Sequence, residues 1–231
     1  MIFVALGLVA GSLAGSLGPF FATGQARRMI AALGGQQALT DAFLAAEFGV
    51  SGVLVSAFAI VLIGRLRTEE HAGRLAPLLA APLSRRRLLS GSLVIVLAGT
   101  AIPLLLAGLG AGLVRGAREG DVGAELVRLS GASLVQLPAV WVLTGLALAV
   151  FGRAPRAGWF GWAALAAFLV LGEFGSLFHF PRWVWGISPY AHLPRLPGSA
   201  VPAGPLLWLA AVAVVLGGVG FAAFGRRDLT A

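Results

Sequence analysis

The sequence predicts an all-α integral membrane protein with six transmembrane helices. Of its 231 residues, 58% are hydrophobic and 11% are charged, and the mean hydropathy is +0.93. Soluble domains carry roughly 25% charged residues, so this chain has more apolar surface than a water-soluble fold would bury. The apolar residues also fall into six stretches long enough to span a bilayer. The predicted spans are residues 2–22, 48–64, 88–114, 129–151, 157–177 and 206–224.

The charged residues support the same class. All 17 basic residues are arginine, the net charge is +8, and most arginines lie at the ends of apolar stretches. No basic run carries interleaved aromatic residues, so the pattern indicates membrane topology and no nucleic-acid partner. The chain has no cysteine, which excludes disulfides, and no lysine, which excludes a Walker A lysine. Any ATP hydrolysis linked to this chain would therefore occur on another polypeptide.

The distribution of arginine predicts the orientation. With the N-terminus in the cytoplasm, ten arginines fall in the cytoplasmic segments, which are shorter than the outer ones. They are Arg65, Arg67, Arg74, Arg85, Arg86, Arg87, Arg153, Arg156, Arg226 and Arg227. Cytoplasmic loops of membrane proteins are enriched in basic residues. We therefore predict a multi-pass protein of the cytoplasmic (inner) membrane, with both termini in the cytoplasm.

The connection between the second and third spans, residues 65–89, carries six of the arginines. A charge at the bilayer centre costs about 2.5–3.5 kcal/mol on insertion scales, so this segment must face water. Three leucines at helical spacing predict a short amphipathic helix on the cytoplasmic surface, and Pro82 ends it. Ser84 stands at the N-cap position of the next helix. The three leucines of the predicted amphipathic helix are Leu75, Leu78 and Leu79. The alternative is that the arginines of this connection only anchor the two flanking spans.

Small residues in the first span predict close helix packing. Gly7, Gly11 and Gly15 form two overlapping GxxxG steps, which allow another helix to approach closely. Gln136 lies inside the fourth span, and we expect it either to hold helices together or to contact a substrate. Glu173 is the one carboxylate placed within a span, and it lies near the outer boundary.

The outer connections differ in character. Residues 24–47 are predicted as a mixed loop with some helical periodicity, and residues 115–128 as a polar loop. Residues 178–205 contain six prolines, which prevent a long helix, together with Trp183, Trp185 and Tyr190, which suit the headgroup region. We predict an interfacial or re-entrant segment here, between the fifth and sixth spans.

An enzymatic alternative depends on Ser51. Residues 49–52 read Gly-Val-Ser-Gly, the form of the GxSG motif of rhomboid-like intramembrane serine proteases. That chemistry needs a base within hydrogen-bond reach of the serine. The three histidines, His71, His179 and His192, all fall in predicted loops, and they are too scattered for a metal site. We therefore predict no catalytic residues and no metal ligands.

Two stretches of the chain carry a family resemblance. The first is Glu69-Glu70-x-x-Gly73-Arg74, then Leu78-Leu79-Ala80 and Pro82-x-Ser84-Arg85. The second is Ile187-Ser188-Pro189-Tyr190-Ala191-His192-Leu193-Pro194, with Arg226-Arg227-Asp228-Leu229 at the end of the chain. Both resemble the permease subunits of ABC-2 type exporters, in particular actinobacterial exporters of polyketide antibiotics. The similarity covers nearly the whole chain, so residues 1–231 resemble a single ABC-2 type transmembrane domain.

The resemblance implies a transport subunit without its own enzymatic activity. The helix between spans two and three would couple to a separate nucleotide-binding ATPase, which would hold the ATP and magnesium. The outer segment would line or close the pathway of an amphipathic small molecule. The coupling residues implied are Glu69, Glu70, Gly73, Arg74, Pro82, Ser84 and Arg85. The pathway or outer-gate residues implied are Glu173, Pro189, Tyr190 and His192.

Length sets this chain apart from those permeases, which are usually about twice as long and contain two six-helix units. The chain resembles the second unit. It is therefore either a half-size subunit, which pairs with itself or with a paralogue, or a truncated fragment. A membrane scaffold that transports nothing is a further alternative.

Overall fold

Only helices form regular secondary structure in the part of the chain that the computed structural model describes. That part comprises residues 2–16, 35–71, 85–154, 157–174, 181–199 and 201–225. The helices in these ranges are α1 (Ile2–Ser16), α2 (Gly35–His71), α3 (Arg85–Glu119), α4 (Val122–Leu134), α5 (Leu137–Arg153), α6 (Phe160–Phe174), α7 (Arg182–Trp185), the 3₁₀ helix Pro189–His192 and α8 (Ala203–Gly225). The predicted all-α class is confirmed for these residues.

Four segments of these helices are long and apolar enough to cross a membrane. They are Gln37–Arg65, Leu93–Glu119, Val122–Arg153, which joins α4 and α5, and Ala203–Ala223. Two shorter apolar segments, Ile2–Leu13 and Phe160–Gly172, coincide with the first and fifth predicted spans. The four long segments confirm the membrane class. Whether the two shorter helices also cross, giving six spans, stays a prediction.

Helix α2 extends beyond the predicted second span at both ends. The sequence predicts a mixed loop with some helical periodicity over residues 24–47, and α2 already begins at Gly35. Its acidic residue Asp41 is buried and lies 2.7 Å from Arg128. Because this ion pair compensates the carboxylate, the helix can carry an acid on a packed face. At its other end, α2 continues past Arg65 to His71.

The predicted polar loop 115–128 is a tight turn between two helices. Only Gly120 and Asp121 separate α3 from α4. Gly120 adopts φ +83°, which favours glycine, and its N–H donates to Gly116 O at 2.9 Å. The Asp121 side chain caps α4 by accepting a hydrogen bond from the Ala124 N–H at 3.0 Å. The charged residues that suggested a loop lie in the flanking helices and pair with one another.

The predicted fourth span is broken near its middle. Helix α4 ends at Leu134, residues 135 and 136 form a turn, and α5 begins at Leu137. Pro138 explains the break, because it has no N–H to donate to Leu134 and its ring would clash with that carbonyl in a continuous helix. Proline is tolerated in the first turn of a new helix, which is where Pro138 lies.

The chain divides into two compact units. The first unit comprises Met1–Gly52, Ala101–Gln136 and Leu193–Ala203, and the second comprises Val53–Thr100, Leu137–His192 and Gly204–Ala231. Helices α2 and α3 are each divided between the units, so that each unit contains one segment of each helix.

In the first unit, glycine spacing brings the backbones of α3 and α4 into contact. Gly108, Gly112 and Gly116 recur every four residues along one face of α3. A Cβ on Gly108 would lie 2.6 Å from Ser130 Cα, and one on Gly112 would lie 2.8 Å from Leu126 Cα. Real Cβ atoms do not come this close, so α4 can pack here only because these side chains are absent.

Helix α1 packs on α3 in the same way. Gly7 faces the backbone of Ala107, and a Cβ on Gly11 would lie 3.0 Å from Ala111 O. On the α3 side, a Cβ on Gly110 would lie 3.0 Å from Val4 O. Gly15 lies in the last turn of α1, and its surroundings fall outside the described part. The core of the unit comprises Ala10, Leu44, Phe48, Ala111, Leu129, Ala132 and Leu196.

In the second unit, α5 contacts both α6 and α8. A Cβ on Gly145 of α5 would lie 3.0 Å from Ala213 O of α8, and one on Gly220 of α8 would lie 2.8 Å from Leu148. Trp141 Nε1 donates to Thr100 Oγ1 at 3.1 Å, so α5 is also bonded to the α3 segment of this unit. The largest apolar cluster comprises Ile60, Leu143, Ala164 and Leu165.

The glycine contacts give a matched stability test. Gly108→Ala places a methyl group against Ser130, and overpacking of this kind typically costs 1–3 kcal/mol, about 2 kcal/mol here. Gly131→Ala is the control, because a Cβ there meets nothing within 4 Å and alanine favours a helix. We expect a lower Tm for Gly108→Ala only, measured on purified protein in detergent. Equal Tm values for the two variants would contradict the close packing.

Candidate functional site

The residues implied in coupling fall at the junction of α2 and α3. Glu69 and Glu70 lie in the last turn of α2, and Arg85 is the first residue of α3, with the side chains of all three outside the described part. Gly73, Arg74, Pro82 and Ser84, together with the predicted amphipathic helix, fall in residues 72–84, outside the described residues. Their role therefore stays a prediction.

The residues implied at the outer gate form an ordered element in the second unit. Pro189, Tyr190 and His192 belong to the 3₁₀ helix, which packs against α5 and α6. Just before it, Ser188 is fully buried, and its Oγ donates to Phe168 O of α6 at 2.7 Å. His192 Nδ1 lies 3.1 Å from Ser188 O, so the ring bonds back to its own segment. Glu173 lies near the end of α6, and its side chain is outside the described part.

Tyr190 attaches this element to α2. Its phenol donates to Ser56 Oγ at 2.7 Å, and its ring packs in the cluster around Leu143 and Leu165. Burial raises the pKa of Tyr190 to about 12, so the phenol stays neutral and keeps its proton at physiological pH. Ser56 belongs to the apolar segment Gln37–Arg65, well inside its ends. The contact therefore places part of a proline-rich connection against a candidate membrane span.

Gly172 makes room for this contact. A Cβ on Gly172 would lie 2.9 Å from Ser188 Oγ and 3.2 Å from Tyr190 Cβ. A larger residue at position 172 would push the 3₁₀ helix away from α6. Gly172 was not predicted as a site residue from the sequence, although it directly precedes Glu173 in the same helix end.

A cluster of ion pairs lies in the first unit. Arg128 of α4 donates from Nη2 to both carboxylate oxygens of Asp41 at 2.7 Å, and from Nη1 to Glu125 Oε1 at 3.0 Å. Arg115 of α3 pairs with Glu119, and its Nε lies 3.5 Å from Glu125 Oε2. Asp41, Arg115 and Glu125 are each less than a tenth exposed. Buried charges like these are tolerated only when they are paired.

These five residues were predicted to lie in two separate loops. Local spacing gave a partial signal, because Arg115 and Glu119 are four residues apart and Glu125 and Arg128 are three apart, as helical pairs require. Nothing in the sequence indicated that Asp41 joins them, because its contact with Arg128 spans 87 residues.

The segment that follows the 3₁₀ helix rests on this ion-pair cluster. Gly198 has φ +115°, and a Cβ on it would lie 3.1 Å from Asp41 Cβ. Leu196 is buried in the same core as Leu44 and Phe48 of α2. Within the first unit, Asp41 is therefore held by Arg128 and covered by the segment around Gly198.

Ser51 has no catalytic surroundings in the described part of the chain. It lies inside helix α2, is 1% exposed, and its Oγ has no hydrogen-bond partner among the described residues. A serine nucleophile requires a bonded base. The described residues also contain no group of three His, Asp or Glu side chains placed to hold a metal ion. These residues give the protease alternative no support.

A double-mutant cycle tests the ion-pair cluster. Arg128→Ala removes the one described partner of the buried Asp41 carboxylate, so we expect a loss of about 3 kcal/mol in stability. Asp41→Ala, Arg128→Ala together should lose less than the sum of the single changes, with a coupling energy of roughly 1–3 kcal/mol. Arg118→Ala is the control, because Arg118 is exposed and its one bond among the described residues is to Ser12 O. Additive changes in Tm would refute the pairing.

Comparison with known proteins identifies the family. The profile of the family described as "Multidrug efflux system permease Rv1217c, C-terminal domain" matches residues 1–225. The chain is 41% identical over 224 residues to the "Multidrug efflux system permease protein Rv1217c" of Mycobacterium tuberculosis. This match covers 96% of the chain but 41% of the relative, so the chain spans about two fifths of that protein's length. The chain therefore belongs to the family of multidrug efflux permease C-terminal domains.

Proposed function

We propose that this chain forms half of the membrane-spanning part of an ATP-driven exporter of amphipathic small molecules. The observation that carries the proposal is the family match over residues 1–225. The four long apolar segments support it, because helices that enclose a path through the bilayer must be long enough to cross it. A transported compound is moved and not altered, so the chain needs no nucleophile or general base.

The energy enters from a separate subunit in this proposal. The chain contains no lysine and so has no Walker A lysine to contact the phosphates of ATP. A partner ATPase of the ABC type would hold ATP and magnesium and would dock at the connection between α2 and α3. The residues proposed for this contact are Glu69, Glu70, Gly73, Arg74, Pro82, Ser84 and Arg85. Helices α2 and α3, of 37 and 35 residues, would carry the movement away from that surface.

The proline-rich connection would act as an outer gate. Its 3₁₀ helix is bonded to α6 through Ser188 and to α2 through Tyr190, so a shift of either helix would displace it. In this arrangement, the connection is re-entrant and lies on the outer side, and both chain termini lie in the cytoplasm. Pro189, His192 and Glu173 would belong to the same gate.

The substrate class follows from the relative's name and from the apolar helices. We propose a drug-like amphipathic compound, such as an antibiotic or polyketide, taken from the cytoplasm or the inner leaflet. A second permease half, either another copy or a paralogous unit, would complete the pathway, because the chain spans only about two fifths of its relative.

Co-purification tests the proposed coupling. The tagged chain would be isolated from native membranes in mild detergent, both as wild type and as the Glu69→Ala, Glu70→Ala, Arg74→Ala triple variant. We expect an ATPase to accompany the wild type and to be lost, roughly tenfold or more, from the triple variant, because several charged contacts disappear together. The Arg153→Ala, Arg156→Ala double variant is the control. It removes arginines from the other predicted cytoplasmic turn and should retain the ATPase.

Two outcomes would contradict the proposal. If no ATPase accompanies the wild type, the proposed exporter has no energy source, and the result supports the alternative of a membrane scaffold that transports nothing. If the triple variant inserts normally and still retains the ATPase, the partner docks elsewhere on the chain.

A further inference from the structure

The turn between α4 and α5 contains a buried side-chain oxygen without a hydrogen-bond partner among the described residues. Gln136 is 6% exposed and lies in the middle of the apolar segment Val122–Arg153. The backbone of the turn is satisfied, since the Val135 N–H donates to Gly131 O and the Gln136 N–H donates to Ser133 O, both at 3.2 Å. What is unsatisfied is therefore the side chain and not the turn itself.

The Gln136 carbonyl oxygen, Oε1, has no hydrogen-bond donor among the described residues. It faces α2 at a position without a side chain, because a Cβ on Gly52 would lie 2.9 Å from Oε1. A glutamine that holds two helices together would donate or accept a bond across this contact. The described contacts give Oε1 no such bond, so the structural explanation for a buried glutamine is missing.

A second polar group next to this contact is also unpaired. Ser51, the residue before Gly52, is 1% exposed, and its Oγ has no hydrogen-bond partner in the described part. By contrast, the Oγ of Ser133, in the last turn of α4, donates to Leu104 O at 2.7 Å. Natural proteins pair nearly all buried polar groups, so unpaired ones call for a functional explanation.

We infer that Gln136 accepts a hydrogen bond from the exported compound. This inference rests on the proposed function and adds a substrate class, namely amphipathic compounds that carry a hydroxyl or amine N–H donor. Polar binding points of transporters commonly lie where a membrane helix is interrupted near mid-span, which is where Pro138 breaks the α4–α5 segment. The absence of a side chain on Gly52 lets Gln136 pack directly against α2, and Ser51, the preceding residue, carries a second unpaired hydroxyl.

A binding experiment with two dyes tests this assignment. Ethidium carries aromatic amine donors, whereas tetraphenylphosphonium is an apolar cation without donors. Binding of each would be measured to the purified chain in lipid nanodiscs, without ATP or a partner ATPase, and corrected for empty discs. We expect Gln136→Leu to weaken ethidium binding roughly three- to tenfold, as the loss of one hydrogen bond implies, and to leave tetraphenylphosphonium unchanged. The Tm should equal or exceed that of the wild type, because no internal bond is lost.

Two further variants sharpen the result. Gly52→Ala keeps the amide but places a methyl group 2.9 Å from Oε1, and we expect the same selective loss of ethidium binding. Ser133→Ala is the control. It removes a bond that the fold does use, so it should lower the Tm and weaken neither dye selectively.

Three outcomes would overturn the inference. The first is a lower Tm for Gln136→Leu with equal weakening of both dyes, which would show a structural role. The second is unchanged ethidium binding in both Gln136→Leu and Gly52→Ala. The third is a wild type that binds neither dye. Since the assay contains no ATPase, each outcome leaves the co-purification test of the exporter assignment independent.

Discussion

Close backbone contact between α3 and α4 is the constraint on which the first unit depends. The glycines at 108, 112 and 116 allow α4 to fold back directly after the two-residue turn at Gly120. This return brings Arg115 beside Glu125 and directs Arg128 to Asp41. Because Asp41 is then paired, α2 can carry this acid inside its apolar segment Gln37–Arg65, and the segment around Gly198 can rest on it. The glycine stripe on α3 thus brings the charged side chains of this unit next to one another.

The buried polar groups fall into two kinds. Most are bonded within the fold: Ser188 bonds to Phe168, Tyr190 to Ser56 and Ser133 to Leu104. These bonds fix the positions of the connections and helices that carry them. Four buried side-chain atoms have no hydrogen-bond partner among the described residues, namely Ser51 Oγ, Arg115 Nε, Ser130 Oγ and Gln136 Oε1. An unpaired buried polar group costs roughly 1–3 kcal/mol, and a transporter can retain such a group when its partner is the transported compound.

Composition and periodicity were sufficient to predict the all-α membrane class and the four long apolar segments. They failed where charges pair over long distances, because Asp41 and Arg128 are 87 residues apart and look like separate loop residues. The break before Pro138 was predictable in principle, since proline disfavours a helix interior, but the apolar residues around it concealed the end of α4. The spacing of Gly108, Gly112 and Gly116 was equally visible and was missed. Gly7 and Gly11 were predicted as packing residues from the same four-residue spacing.

Transport by membrane vesicles tests the central claim most directly. Inside-out vesicles would be prepared from native cells with the gene intact and with the gene deleted, and then supplied with ATP and a fluorescent amphipathic dye. If the chain is half of an ATP-driven exporter, only vesicles with the intact gene will accumulate the dye, and a non-hydrolysable ATP analogue will abolish the difference. Equal, ATP-independent accumulation in both preparations would contradict the account.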